Sequence, residues 1–354
     1  LPVAWAAFGS DPLLFVSERG DLHIGTTRAH SNFFKKIQGD SYIYGMRTED
    51  KDQLFGADEF YKRLDDRRKG SDKAPIILFV HGCCVSFGEQ LLQANDLEKA
   101  VDTAYARAPS EAGGRPLTLA YDWIAPFSYA TSLEKCYAAQ VRFNAFMENF
   151  VSRYGSSNVV IVAHSLGTLL VQNYVSQINE QDKGAPFKTI VFSRADIDRD
   201  AFVRCLPALR AHSSRLMVLS ASNDPNLYAS SLLRKLGVKF AQAATLPAKL
   251  PLPLPKKKND SGTSTDSQTG TPDQPPPAPA VPKIKAHERQ TRRLGQVKVA
   301  SEFSSKIEVY DMSALRIGHG IPYKFIGDLL FHNLEDFDLT KDVTDVVIVH
   351  SARP

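Results

Sequence analysis

The chain has 354 residues, 43% hydrophobic and 23% charged, enough to bury a substantial core within one doubly wound domain. Its net charge is +4, yet residues 241–300 hold ten Lys or Arg against four Asp or Glu, and removing that local +6 leaves −2 elsewhere. The basic balance thus belongs to one segment, which argues for a solvated linker and against a nucleic-acid-binding face.

The chain opens at Leu1, and Ala4-Trp5-Ala6 is an A-x-A-like step. That step suits the tail of a signal peptide as well as an arbitrary boundary, so the compartment, cytoplasmic or exported, stays open. Residues 12–70 are mixed, with weak strand signals at 13–17 and 42–47. From Pro75 a regular alternation begins. Pro75 to Val80 is a short, continuous apolar run, the mark of a strand buried on both faces, and helical spacing follows over 88–107. Residues 116–121 read as a second buried strand and 128–153 as a long amphipathic helix.

Asn158 to Ala163 is the third such strand, with a helix over 166–178. The strand signal returns at 187–193 and 215–220, each followed by a helical stretch, and a last strand at 305–310 precedes a helix over 322–331. This alternation predicts an α/β fold: a doubly wound, mostly parallel sheet with helices on both faces. One domain over 12–354 is expected, its core at 75–240 and 298–335. Residues 241–297 interrupt it, with ten prolines between Pro247 and Pro282 and a Lys256-Lys257-Lys258 run. That composition predicts a disordered insertion, with a protein partner at the Pro-rich stretch 247–282 as the functional alternative.

Cys83, Cys84, Cys136 and Cys205 form no C-x-x-C pair and no Cys/His cluster with zinc-site spacing, so neither a disulfide framework nor a metal site is expected. No apolar run reaches the roughly 18 residues of a membrane span. There is no G-x-x-x-x-G-K-[ST], and no G-x-G-x-x-G follows the first buried strand. No cofactor is expected.

Ala163-His164-Ser165-Leu166-Gly167 sits where the third buried strand turns into a helix. A serine hydroxyl is a poor nucleophile unless held exposed beside a base, and a tight strand-to-helix turn does this. The turn crowds the positions two before and two after the serine, and both are small here, with Ala163 where glycine is usual. The plainer reading is a helix N-cap. As serine attacks a carbonyl, the oxyanion needs preorganised N–H donors. Leu166, at the helix N-terminus, would supply one, and Cys83, or else Cys84, in the loop after Phe79-Val80-His81-Gly82 would supply the other. His81 shapes that loop in this reading and is not a base.

The base must be a histidine and its partner a carboxylate, in the chain order nucleophile, acid, histidine. Outside the insertion, His212, His319, His332 and His350 follow the elbow. His319, between Gly318 and Gly320, lies in the loop after the last buried strand and is preferred. Asp224, after the strand two beyond the nucleophile strand, is favoured as acid; Asp196, after the intervening strand, is the alternative.

With these residues placed, the chain resembles the DUF900 family of bacterial α/β hydrolases. The likeness runs through Phe79 to Gly82, Val85 to Phe87, Tyr121-Asp122-Trp123 with Tyr129, and Ala163 to Gly167. It continues in Ala195 to Asp198, Asn223-Asp224 with Leu227 and Ser230, His319, and Asp328-Leu329. It covers roughly residues 75–335 apart from the insertion. Cys83-Cys84 replaces an aromatic and Asn, and Ile124-Ala125 replaces Pro-Ser after Trp123. The resemblance implies a serine-dependent hydrolase site with Ser165, an acid and His319, and supplies no substrate. The function expected is hydrolysis of a small carboxylic ester through an acyl-serine. Acyl transfer from the same nucleophile, or a catalytically silent binding protein on this fold, are the alternatives.

Overall fold

A computed structural model describes residues 12–19, 42–48, 51–69, 73–107, 114–178, 184–235, 293–296, 307–315, 317–331 and 347–348. Short runs buried on both faces become strands, and amphipathic stretches between them become the crossovers that return the chain to the same edge. The first half contains β1 (Leu13–Ser17), β2 (Ile43–Arg47), β3 (Asp52–Phe55), α1 (Ala57–Arg68), β4 (Ile76–Val80), α2 (Phe87–Arg107), β5 (Leu117–Asp122) and α3 (Tyr129–Tyr154). After it come β6 (Val159–His164), α4 (Gly167–Gln177), β7 (Thr189–Ser193), α5 (Arg199–Ala211), β8 (Leu216–Ser220), α6 (Pro225–Lys235), β9 (Glu308–Asp311), α7 (Tyr323–Phe331) and β10 (Val347–Ile348).

The sheet order is β10-β9-β8-β7-β6-β4-β5-β1-β2-β3. Strands β9 through β1 run parallel; β10, β2 and β3 are antiparallel additions at the two edges. Register brings the carboxyl ends level, with Val80 opposite Tyr121 and Ala163, His164 opposite Ser193, and Ser220 opposite Asp311. Every loop expected to carry chemistry therefore leaves from one edge, the usual location of ligand sites in such sheets. This is the doubly wound architecture expected from the alternation.

One face packs on Phe60 of α1, Phe143 and Phe146 of α3, Leu170 of α4 and Phe202 of α5. The other packs on Leu91 and Leu97 of α2 and on Phe325 and Leu329 of α7. Helices α2 and α7 touch backbone to backbone: a Cβ on Gly327 would stand 2.6 Å from the Ala100 carbonyl oxygen. Arg107 and Asp328 form an ion pair across the same contact.

Strand β3 and helix α1 were not expected. Helix α1 buries only Phe60 and Leu64, too few apolar positions to make a readable period, and β3 is a four-residue edge strand that is only partly buried. The insertion boundary also differs. Arg293 bridges to Asp198, and 294–296 form a short helical turn with Leu294 and Gly295 buried. The last residues assigned to the insertion thus belong to the folded core. Its remainder, 241–292 and 297, and the whole Pro-rich stretch 247–282, lie outside the described residues.

Glu18, just past β1, is 3% exposed and takes weak hydrogen bonds from Ile124 N (3.3 Å) and Tyr121 Oη (3.4 Å). Burial outweighs these and raises its pKa from 4.5 to about 7. Below pH 4.5 the carboxyl is protonated in both folded and unfolded chains and contributes no pH dependence. Between 4.5 and 7 only the unfolded chain loses the proton, so stability falls as pH rises. Glu18→Gln is therefore expected to match wild type at pH 4 and to exceed it at pH 8, in urea melts at both pH values. Gly327→Ala should cost about 1–3 kcal/mol by overpacking. Gly88→Ala, in α2 with nothing within 4 Å of the added carbon, should be neutral or stabilise by up to about 1 kcal/mol.

Candidate active site

Strand β6 turns into α4 through Ser165, whose φ of 50° lies in the left-handed region that side chains disfavour. The turn is held from both sides. Ser165 N–H donates to the Ser193 carbonyl at 2.9 Å, and its own carbonyl accepts from Asp196 N at 3.1 Å and Thr168 N at 3.2 Å. One strand further, Arg194 repeats the device, with φ 50° and its N–H on the Leu219 carbonyl at 2.9 Å.

The small residues around Ser165 do different jobs. A Cβ on Gly167 would lie 2.3 Å from the His81 carbonyl oxygen and 2.7 Å from that of Val80, so the first turn of α4 rests on the end of β4. A Cβ on Gly82 would lie 2.7 Å from Ser165 Cβ. Ala163 instead ends in the hydrophobic core, where its methyl is packed, which explains why alanine replaces the usual glycine there and not at Gly167. Cys83, next after Gly82, and Leu166, next after Ser165, therefore flank the serine.

His81 is fully buried and stacks on Trp123, with ring centroids 5.3 Å apart and an interplanar angle of 9°. Its Nδ1 donates to the Gly82 carbonyl at 2.8 Å, and its Nε2 lies 3.2 Å from both Trp123 N and Asp122 Oδ1. Trp123 Nε1 returns a bond to the His81 carbonyl at 2.8 Å. Beneath this pair, Asp122 accepts from Ser17 Oγ (2.6 Å) and Arg19 Nε (2.8 Å). Arg19 also donates to the carbonyls of Val85 and Trp123, both at 3.1 Å, tying two loops together. Arg19 carries no motif in the sequence, and only the fold reveals this role.

His319 sits in a turn made possible by Gly318 at φ 58° and closed by Gly320 N on the Ile317 carbonyl at 2.9 Å. Its Nε2 lies 2.7 Å from Ser165 Oγ and its Nδ1 lies 2.7 Å from Asp224 Oδ2. Asp224 divides its oxygens. Oδ2 faces His319, while Oδ1 accepts from Asn226 N (3.0 Å) and Leu227 N (3.1 Å) and so caps α6. Ser165 is 2% exposed and Asp224 1%, whereas the His319 side chain retains 15% of its surface.

Asp196, whose N–H meets the Ser165 carbonyl, turns its carboxylate to other partners. Its Oδ1 accepts from Ser230 Oγ at 2.9 Å and pairs with Arg293 Nε at 3.2 Å, both charged side chains almost wholly buried. The turn at 294–296 extends this buttress: Gly295 N donates to the Ala195 carbonyl (2.9 Å) and Ala221 N to the Gly295 carbonyl (2.7 Å). His212 ends α5 ahead of β8, away from this edge, and His332 and His350 lie outside the described residues.

His164 has no role foreseen from the sequence beyond its place in the elbow. It donates from Nε2 to the His319 carbonyl at 3.0 Å, and the two rings lie 4.9 Å apart. Burial first, then the neighbouring His319 charge, hold its pKa well below the ordinary histidine value. It is thus a neutral strut under the His319 loop. Among the described residues no group of three or more His, Cys, Asp or Glu is arranged to hold a metal ion, and no helix is long and apolar enough to cross a membrane.

Comparison with known proteins gives one sequence-level match and several remote structural ones. No curated protein sequence matches the chain. Phospholipase PlaB from Legionella pneumophila, in complex with thio-NAD, aligns at 12% identity and TM-score 0.30, over 44% of this chain. The alignment spans only 40% of that phospholipase. Esterase PE8 aligns at 16% identity and TM-score 0.31, covering 47% of this chain and 78% of its own. An esterase/lipase from an uncultured bacterium aligns at 12% identity and TM-score 0.27, covering 56% and 68%. The family model described as an alpha/beta hydrolase of unknown function matches residues 57–245, a span that includes Ser165, Asp196 and Asp224 and stops before His319. Taken with the parallel sheet and its strand-to-helix elbow, that match over more than half of the sequence makes the chain a member of the DUF900 alpha/beta hydrolases.

Proposed function

We propose that this hydrolase is a serine esterase that cleaves small carboxylic esters, with Ser165 as nucleophile, His319 as general base and acid, and Asp224 as the orienting carboxylate. The observation that carries the reading is the unbroken chain of 2.7 Å contacts from Ser165 Oγ through His319 to Asp224 Oδ2. With Nδ1–H donated to Asp224, His319 presents a lone pair on Nε2 to the serine hydroxyl. Ser165 Oγ attacks the ester carbonyl as its proton passes to Nε2, and Asp224 stabilises the imidazolium so formed. The developing oxyanion is met by the backbone N–H groups of Leu166 and Cys83, the first at the positive end of α4. His319 then returns the proton to the leaving alkoxide. Water repeats the sequence on the acyl-serine and frees the acid.

Asp196 is excluded from the acid role in this scheme because Ser230 and Arg293 occupy it. It is a structural ion pair.

A fluorophosphonate probe should label wild type and leave Ser165→Ala unlabelled, and the same substitution should abolish turnover of short-chain p-nitrophenyl esters. A folded wild-type protein that neither labels nor turns over such esters would end the proposal. Asp224→Asn should lower kcat by about 10⁴-fold while the protein stays folded, because the imidazole loses its correct tautomer. Asp196→Asn should show the opposite pattern: kcat retained within about tenfold, and stability lowered by about 3–5 kcal/mol in urea melts, the cost of breaking a buried pair.

A further inference from the structure

Two thiols unused by the proposed chemistry stand beside Ser165. Cys83 and Cys84 continue the loop whose Gly82 packs on the serine, and both are half-buried. Their Sγ atoms are 3.0 Å apart, and Cys84 sits at φ 62°, a strained setting for a residue with a Cβ. Cys136, by contrast, is buried in the core with its thiol directed at the Leu166 carbonyl at 3.7 Å.

The two thiols are chemically unequal. The hydrogen bond shared with Cys83 lowers the Cys84 pKa to about 7; the Ser132 hydroxyl and the His319 charge assist, while burial and the Asp196 charge oppose. The same pairing, with burial, pushes the Cys83 thiol up. Near neutral pH a fraction of the protein therefore carries a thiolate on Cys84 within 3.0 Å of the Cys83 sulfur. A nucleophilic sulfur next to a resolving sulfur is the arrangement that thiol–disulfide exchange requires.

We propose that Cys83 and Cys84 form a dithiol modification site, oxidised by small disulfides of the glutathione class to a Cys83–Cys84 disulfide that reversibly closes the Ser165 site. The closure rests on Ser165 being the nucleophile; the thiol chemistry does not. Cys84 S⁻ attacks one sulfur of the small disulfide, forming a mixed disulfide and expelling one thiolate. Cys83 then gives up its proton and attacks the Cys84 sulfur, forming the protein disulfide and expelling the second. One small disulfide is reduced to two thiols as two protein thiols are oxidised.

Consecutive Cα atoms are about 3.8 Å apart across a trans peptide, whereas bridged cysteines favour about 4.4–6.8 Å. The shorter spacing is fixed by the peptide, so closing the eight-membered ring must twist the 83–84 peptide and the backbone angles beside it, next to the Cys83 N–H assigned to the oxyanion. The resulting strain also makes the bond easy to reduce, as a reversible modification needs.

The test uses the full chain equilibrated with glutathione disulfide. One portion is alkylated and digested for mass analysis, and another is probed with a fluorophosphonate. The peptide holding both cysteines should lose the mass of two hydrogens, and Ser165 labelling should fall by about 10²-fold, the loss expected for one oxyanion donor. Dithiothreitol should restore both. Cys84→Ser, compared with its own reduced state, should keep its labelling rate under oxidant. Phenylarsine oxide, which bridges two thiols, should protect the wild-type pair from alkylation and keeps the test independent of that variant's folding.

Retention of both thiols, or a stable glutathione adduct without ring closure, overturns the site. A closed disulfide with unchanged labelling overturns its effect on Ser165. Reduced wild type that never labels and hydrolyses no short-chain ester overturns the esterase reading instead, and the mass readout still decides the dithiol.

Discussion

The site depends on how closely two backbones approach at the end of β4. The first turn of α4 rests on the carbonyls of Val80 and His81 because Gly167 has no side chain, and Gly82 meets Ser165 for the same reason. Within this contact, the loop carrying Cys83 and the turn carrying Ser165 share one small volume. The positions of the serine and of the proposed oxyanion donors are consequently set by main-chain packing, the least adjustable part of a fold.

On the far side of Ser165 the constraint is a carboxylate with two duties. Asp224 caps α6 with one oxygen and meets His319 with the other. The acid candidate is thus also the cap of the helix that follows it. Its loop is backed by Arg293 to Gln296, which lie on the loops after β7 and β8 and engage Asp196 through Arg293. Two strand-end aspartates thus have separate surroundings: one beside the histidine, the other in a buried ion pair.

Much of this was legible in the chain because the signals were local. Continuous apolar runs at 75–80 and 158–163 announced strands buried on both faces, and Ser165 was singled out as a candidate by standing between one such strand and a helix. His319 was singled out by its position after the last buried strand, and its ring lies 2.7 Å from Ser165 Oγ. What stayed hidden depends on distant partners. Arg19 clamps loops more than sixty residues away, and nothing near it in the sequence signals that. Helix α1 has two buried side chains and so no strong period. Arg293 sits in a stretch whose prolines and lysines dominate its composition, and only Leu294 and the close packing of Gly295 on Ala195 and Leu227 bring it into the core.

The strut beneath the His319 loop bears on proton accounting at this edge of the sheet. His164 and His319 have rings 4.9 Å apart, a distance at which two imidazolium charges would repel strongly. Burial keeps His164 neutral, and its one N–H is committed to the His319 carbonyl. His81 is engaged at both nitrogens, by Gly82 on one side and by Trp123 and Asp122 on the other. Three imidazoles thus crowd the neighbourhood of Ser165, and burial holds one of them, His164, uncharged. A positive charge gained at this edge therefore cannot be shared with the ring beneath the His319 loop, whose burial excludes it.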